Sequence, residues 1–324
     1  MAGNRKEVML VGPLKPVVVV GLDAVCTVHK AAAAKDRDAF IAAHSEVRAI
    51  ACSATTERIP GDFMARFPKL QIVSSFGVGY DHMDSKWAAA NGVILTNTPN
   101  VLTEEVADTA LGLLLCTVRE LPQAERYVRA GEWRNGDYPL TKASLRDRTV
   151  GLVGMGEIGQ AIARRLDAMK VPVVYHTRQR RPQLHYRHYA KLIDMARDVD
   201  VLLLIVPGGA ATRNMINAAV LDALGPEGIL INMARGSVVD EPALIKALKE
   251  KRIMAAGLDV FANEPDVPAE LIAMENVVLF PHLGSASVVT RNRMDQLVVD
   301  NILAWAAGKP PLTPVPETPW RAWK

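Results

Sequence analysis

A chain of 324 residues exceeds one ordinary domain and suits two, each of about 100–200 residues. Hydrophobic residues make up 49% and charged residues 23%, which excludes a disordered or membrane-embedded composition. The net charge of +3 is too small to imply nucleic acid or a membrane surface as a partner. Cys26, Cys52 and Cys116 are odd in number, far apart and without metal-ligand spacing. They are expected to be buried free thiols of a reducing compartment, with no metal site. Residues Met1–Leu10 lack the apolar core and cleavage site of a signal peptide. No run reaches 18 uncharged apolar residues; the best, Leu111–Val118, closely follows Asp108. The expectation is a cytoplasmic protein.

In chain order, short apolar runs alternate with helical patterns. Val17–Val20, Ala49–Cys52, Ile72–Ser75 and Val93–Thr96 form a first set of predicted strands. Val150–Val153, Val171–Tyr175, Val201–Val206, Ile229–Asn232, Ala256–Val260 and Val277–Phe280 form a second. Each is short, rich in Val and Ile and not alternating with polar residues, as in parallel strands covered on both faces. Between the sets, Thr103–Arg119 reads as one long helix, with Thr103 as cap and Glu104 and Glu105 at the positive end of its dipole. A second long helix, Ser287–Ala306, carries Met294, Leu297, Val298, Ile302 and Trp305 at helical spacing. The proline-rich tail Lys309–Pro319 is expected to be extended. The pattern predicts an α/β protein of two doubly wound parallel-sheet domains. Residues 102–285 form the dinucleotide-binding domain, inserted in a substrate domain of residues 1–101 and 286–324.

The sharpest local signal is the run from Thr149 to Ala163, in which a Val-rich strand leads into Gly154-Met155-Gly156-Glu157-Ile158-Gly159 and then a helical pattern. In such a G-x-G-x-x-G turn Gly154 permits the bend, Gly156 lets the backbone approach a pyrophosphate, and Gly159 lets helix pack closely on strand. The free N–H groups of the helix N-terminus then face the phosphates. An NAD-specific site places an acidic residue about 20 residues beyond the first glycine. Here the next strand ends in His176-Thr177-Arg178-Gln179-Arg180-Arg181, with no carboxylate. A guanidinium can chelate a 2′-phosphate that a carboxylate would repel. NADP(H) is therefore the expected cofactor, with Arg178 and either Arg180 or Arg181 on the phosphate and Thr177 assisting.

Three further segments fall just after predicted strands: Asn232–Gly236, Leu258–Pro265 and Phe280–Ser285. In doubly wound folds ligands bind beyond the carboxyl ends of the strands, so these segments converge on the dinucleotide. Their residue types suit reduction of a 2-oxo acid, which needs a hydride at carbon, a proton donor for oxygen and a cation for the carboxylate. A histidine titrates near neutrality, so His282 is the natural proton donor. Glu264 would stabilise an imidazolium beside it. Arg235 can bind the carboxylate and polarise the carbonyl with one planar fork.

On these residues, namely the glycine fingerprint, Asn232-Met-Ala-Arg235-Gly236, Asp259-Val-Phe-Ala-Asn-Glu264-Pro265 and Pro281-His282-Leu-Gly284-Ser285, the chain resembles the D-isomer-specific 2-hydroxyacid dehydrogenase family. The resemblance covers about residues 45 to 315 and implies a flavodoxin-like substrate domain holding an inserted Rossmann domain. It implies Arg235, Glu264 and His282 as the catalytic set. It further implies that Val78 and Gly79, in Ser74–Asp81, offer backbone N–H groups to the substrate carboxylate, a small anion nest that glycine permits. Asn97–Asn100 and Thr103 resemble the segment facing the nicotinamide, Val206, Pro207 and Thr212 the loop beneath the cofactor, and Asp259 the partner of the carboxamide. Met155, Glu157, Ile158, Met233, Ala234 and Gly284 complete the implied cofactor contacts. The stretch Gly131–Thr141 looks like that of NADPH-dependent glyoxylate, hydroxypyruvate and hydroxyphenylpyruvate reductases. There it contributes to a homodimer, so that Trp133 and Tyr138 would be interface anchors. His185, Arg187 and His188 lie outside any family role.

The expected activity is NADPH-dependent reduction of small 2-oxo acids to D-2-hydroxy acids, with hydroxyphenylpyruvate and 2-ketogluconate as alternative substrates. A corepressor-like binder that senses NAD(H) would not need the proton donor. A nucleic-acid binder built on Arg178–Lys191 lacks stacking aromatics apart from Tyr186 and Tyr189. Formate offers no carbonyl to protonate, and phosphoglycerate enzymes favour NAD, against the arginines.

Overall fold

The computed structural model describes residues 5–54 and 57–320. They fall into two compact units, one from Met1–Leu102 with Ser287–Lys324 and the other from Thr103–Ala286. The first holds β1 (Glu7–Leu10), β2 (Thr27–Lys30), β3 (Ala49–Ser53), β4 (Ile72–Phe76) and β5 (Ile94–Thr96). They form one parallel sheet in the order β2-β1-β3-β4-β5, the flavodoxin-like winding. The second holds β6 (Val150–Val153), β7 (Val173–His176), β8 (Arg187–Tyr189), β9 (Val201–Leu204), β10 (Ile229–Asn232), β11 (Ala255–Leu258) and β12 (Val277–Leu279). Its parallel order, β12-β11-β10-β9-β6-β7-β8, reverses between β6 and β9, the Rossmann switch point.

Every residue of the central strands β3, β4, β6, β9, β10 and β11 is buried, which is why they are mostly apolar and show no alternation with charged residues. Two of the four edge strands do not read so. β2 and β8 are polar, exposed at one or both ends and paired on one side only. β8 accounts for the basic run that carried no family role. His188 donates from Nε2 to the Thr177 carbonyl (3.0 Å) and packs its ring on Tyr175 (5.0 Å). Arg187 lies over Tyr189 at 4.4 Å and pairs with Asp198 at 3.5 Å.

The expected strand Val17–Val20 is a correction. Pro16–Asp23 is a helix, with Pro16 in its first turn, where a missing N–H costs nothing. Val18 and Leu22, four residues apart, face the core, while Val17 and Val20 are exposed. Gly21 allows close packing on the long Val288–Ala306 helix, since a Cβ there would lie 2.9 Å from Val299 Cγ1. The first strand is instead β1, ten residues earlier. The Thr103–Val118 helix takes in Thr103, the expected cap, as its first residue and ends one residue before the expected Arg119. Ser287 caps the last long helix, accepting from Thr290 N, and Met294, Val298, Ile302 and Trp305 are buried along it. Leu297 is half-buried. The tail bridges to β5 through Thr96 and Pro314. Cys26 and Cys52 are buried, and Cys116, expected to be so, is only half-buried. Among the described residues no helix is long and apolar enough to cross a membrane.

Candidate active site

Register aligns the ends of the second sheet. Val153 pairs with His176 and Leu204, Leu204 with Asn232, Asn232 with Leu258 and Leu258 with Leu279. The loops that follow these residues therefore leave one edge of the sheet side by side. They carry the fingerprint, Thr177–Arg180, Val206–Thr212, Met233–Gly236, Asp259–Glu264 and Pro281–Gly284.

The fingerprint is shaped as its glycines require. Gly154 has φ of +110°, and a Cβ on Gly159 would lie 2.6 Å from the Gly154 carbonyl oxygen. A Cβ on Gly156 would meet nothing within 4 Å, so the space beside this backbone is open. Gly156 caps the Glu157–Ala168 helix, whose first N–H groups face that space, so the turn fits a pyrophosphate. Met155 is buried beneath the turn. Beyond β7, Thr177 donates to the Gln179 carbonyl at 2.6 Å and shapes the loop. Arg178 and Arg180 are exposed and have no acidic partner among the described residues. The Arg181 backbone, by contrast, is tied to the Tyr175 hydroxyl at 2.9 Å. Thr212 donates to the Pro207 carbonyl at 2.8 Å and closes the Val206–Thr212 loop.

At the other side of the switch point the charged groups meet. The His282 ring binds Glu264 Oε2 through Nδ1 at 2.7 Å, and Glu264 Oε1 accepts the Phe261 N–H at 3.0 Å. His282 Nε2 has no partner among the described residues. Burial pushes the Glu264 carboxyl up, but the hydrogen bond and charge of His282, the Phe261 amide and the Arg235 charge outweigh it and hold it below the usual carboxylate range. Asp259 is 2% exposed, and its burial raises its carboxyl despite the N–H groups of Leu283 (2.5 Å) and Gly284 (3.0 Å). These bonds have a purpose in the backbone. His282 has φ of +53°, a left-handed conformation that costs about 1–2 kcal/mol outside glycine. Hydrogen bonds to a charged group contribute about 1.5–3 kcal/mol each, so two to the Asp259 carboxylate outweigh that cost. The His282 N–H adds a third bond, to the Asp259 carbonyl at 2.8 Å.

Arg235 stands on a turn held by a residue whose role the sequence reading left open. Asn232, 1% exposed, donates from Nδ2 to the Arg235 carbonyl at 3.1 Å and accepts the Ala234 N–H at 3.0 Å. Arg235 Nη1 donates to the Ala234 carbonyl at 2.8 Å. Next to it, a Cβ on Gly236 would lie 1.8 Å from the Phe261 carbonyl oxygen, so only glycine lets the arginine turn rest on the loop that ends in Glu264. Glu241 was also missed; its carboxylate accepts the Ala262 N–H at 3.1 Å and braces that loop. Met233 and Ala234 are buried, and Gly284 accepts from Thr109 at 3.2 Å.

In the first unit, Val78 and Gly79 follow β4, and Asn97 follows β5. Asn97 donates to the Val78 carbonyl at 2.8 Å, and Gly77 N–H donates to Thr98 Oγ1 at 3.0 Å. Thr55 and Thr56, after β3, lie outside the described residues. On the Gly131–Thr141 arm Trp133 is 64% exposed, whereas Tyr138 packs edge-on against Tyr127 at 5.4 Å.

A dinucleotide turn, an acid-backed imidazole and an arginine along one edge of a Rossmann sheet define a nicotinamide-dependent oxidoreductase. The comparisons carry this further. The model described as D-isomer specific 2-hydroxyacid dehydrogenase, NAD binding domain, matches residues 111–284. The hydroxyphenylpyruvate reductase of Plectranthus scutellarioides is 48% identical over 76% of this chain and 79% of its own. The 2-ketogluconate reductase of Gluconobacter oxydans is 38% identical over 96% and 99%. The crystal structure of the NADPH-dependent glyoxylate/hydroxypyruvate reductase of Sinorhizobium meliloti, in complex with NADP and malonate, superposes with a TM-score of 0.93 at 50% identity, covering 99% of this chain and 100% of that one. The chain belongs to the D-isomer-specific 2-hydroxyacid dehydrogenase family.

Proposed function

We propose that the protein reduces glyoxylate, hydroxypyruvate or a close relative to the D-2-hydroxy acid with NADPH, as a cytoplasmic homodimer. The reading rests on one observation above all, the 2.7 Å pair of Glu264 with His282 Nδ1, which leaves Nε2 open. When bound, the reduced nicotinamide supplies the hydride that the substrate C2 accepts. His282 Nε2 gives its proton to the carbonyl oxygen, and Glu264 offsets the imidazolium charge before transfer. Arg235 holds the carboxylate, as do the N–H groups of Val78 and Gly79. Asp259 is assigned to the cofactor carboxamide and Thr103 to the nicotinamide side.

Phosphate selection is assigned to Arg178 and Arg180, whose guanidinium groups have no acidic partner among the described residues. The relative of known structure at 50% identity, which is NADPH-dependent, supports the same choice. The homodimer is supported by the apolar surface of residues 121–140, where Leu121, Val128, Trp133 and Leu140 are all exposed. Oxidation of NADPH and of NADH against a panel of 2-oxo acids tests the proposal. Turnover of glyoxylate or hydroxypyruvate with a clear NADPH preference is expected. A clear NADH preference overturns the arginine assignment, and an unconsumed cofactor with every acid overturns the activity.

A further inference from the structure

We infer that Asn97, Thr313 and Asn301 form a directional hydrogen-bond relay that aims the Gly79 N–H at the substrate carboxylate, making them positioning residues for substrate binding. The inference rests on the proposed carboxylate role of Gly79. The relay starts at Asn301, fully buried on the Val288–Ala306 helix. Its Nδ2 donates to the Leu297 carbonyl (2.8 Å) and to Thr313 Oγ1 (2.9 Å), and its Oδ1 accepts the Thr313 N–H (3.0 Å). With both amide ends engaged, Asn301 has one orientation, and the Thr313 hydroxyl must accept from it. That hydroxyl is then free to donate onward, and it does so to the Asn97 carbonyl at 2.7 Å. Asn97, 9% exposed, completes the path by donating to the Val78 carbonyl at 2.8 Å.

Peptide planarity turns this grip into direction. The Val78 carbonyl and the Gly79 N–H belong to one trans peptide, so they point opposite ways. Fixing the carbonyl on Asn97 therefore fixes where the Gly79 N–H points. A loop that contains Gly77 and Gly79 would otherwise pay conformational entropy when it binds an anion. Buried Thr98 grips the loop as well, its Oγ1 accepting the Gly77 N–H (3.0 Å) and its own N–H donating to the Gly77 carbonyl (2.9 Å), which lies in the peptide just before. The residues of the relay are neutral, so they orient a donor without placing charge beside the substrate.

The test uses Thr313→Val, which removes the hydroxyl at nearly constant volume, with Thr313→Ser as the conservative rescue. Asn97→Asp then puts an acceptor against the Val78 carbonyl. Thr313→Val and Asn97→Asp are expected to raise KM for the 2-oxo acid, and Kd for malonate, about tenfold. In Thr313→Val, kcat, NADPH affinity and Tm change little, and Thr313→Ser stays near wild type. Hydrogen exchange across residues 77–81 decides the relay without any ligand or turnover, and faster exchange in Thr313→Val is expected. A fall in Tm with unchanged KM, malonate affinity and exchange overturns the inference. A wild type that consumes no NADPH overturns the proposed activity instead, and the exchange measurement still reads the relay.

Discussion

Along the carboxyl edge of the seven-stranded sheet stand an arginine, two carboxylates and an imidazole, whereas the loops beyond β4 and β5 of the five-stranded sheet are held by amides and hydroxyls. The first edge holds groups that change charge or stabilise charge, and each is braced by backbone N–H groups or a neighbouring side chain. The second edge offers backbone donors fixed by neutral neighbours. On the proposed function, the difference teaches that charged chemistry belongs to one sheet and neutral orientation of backbone donors to the other. Substitutions on the Rossmann edge should lower turnover, and those behind Val78 and Gly79 should weaken substrate binding with turnover kept.

The largest effect is expected at Gly236. An added methyl group would lie 1.8 Å from the Phe261 carbonyl oxygen, so Gly236→Ala must push the Arg235 turn off the Glu264 loop. Activity should fall by more than about 100-fold, as for an ångström-scale misplacement. Glu264→Gln keeps the shape but removes the charge behind His282, and kcat should fall about 100-fold with NADPH affinity unchanged. Equal losses in both would merge the catalytic and binding roles that the comparison separates. Arg178→Ala with Arg180→Ala should raise KM for NADPH about tenfold and leave NADH kinetics as they were. Parallel losses with both cofactors would make the two arginines structural.

The smallest effect is in stability against pH. The Glu264 carboxyl is held below its usual range, so its pairing contributes fully above the unfolded value of about 4.3. That contribution is lost as pH falls through the lower folded value. The stability gap between wild type and Glu264→Gln, read by thermal unfolding, should therefore narrow below about pH 4. A gap that widens in acid reverses the sign.

Much of the Rossmann edge is legible in the chain because steric need is local there. The fingerprint, Asn232–Gly236, Asp259–Pro265 and Pro281–Ser285 each place their residues within a few positions of a buried strand. The first sheet was harder to read. Four valines in Val17–Val20 look like a strand until Pro16 and the Val18–Leu22 spacing are weighed, and the edge strands β2 and β8 have no apolar run to betray them. The relay behind Val78 was invisible for a different reason. Asn97 and Thr313 are 216 positions apart, and a neutral amide and hydroxyl carry no pattern that spacing can reveal. Gly236 was visible as part of a motif, but its reason, the Phe261 carbonyl, lies on another loop.

The central claim is that His282 is the proton donor of a carbonyl reduction, and His282→Ala measured for kcat and for NADPH affinity tests it most directly. A fall in kcat of about 10²–10⁴-fold with cofactor affinity preserved is the predicted result. Turnover within a few-fold of wild type, or an equal loss of turnover and affinity, would contradict it.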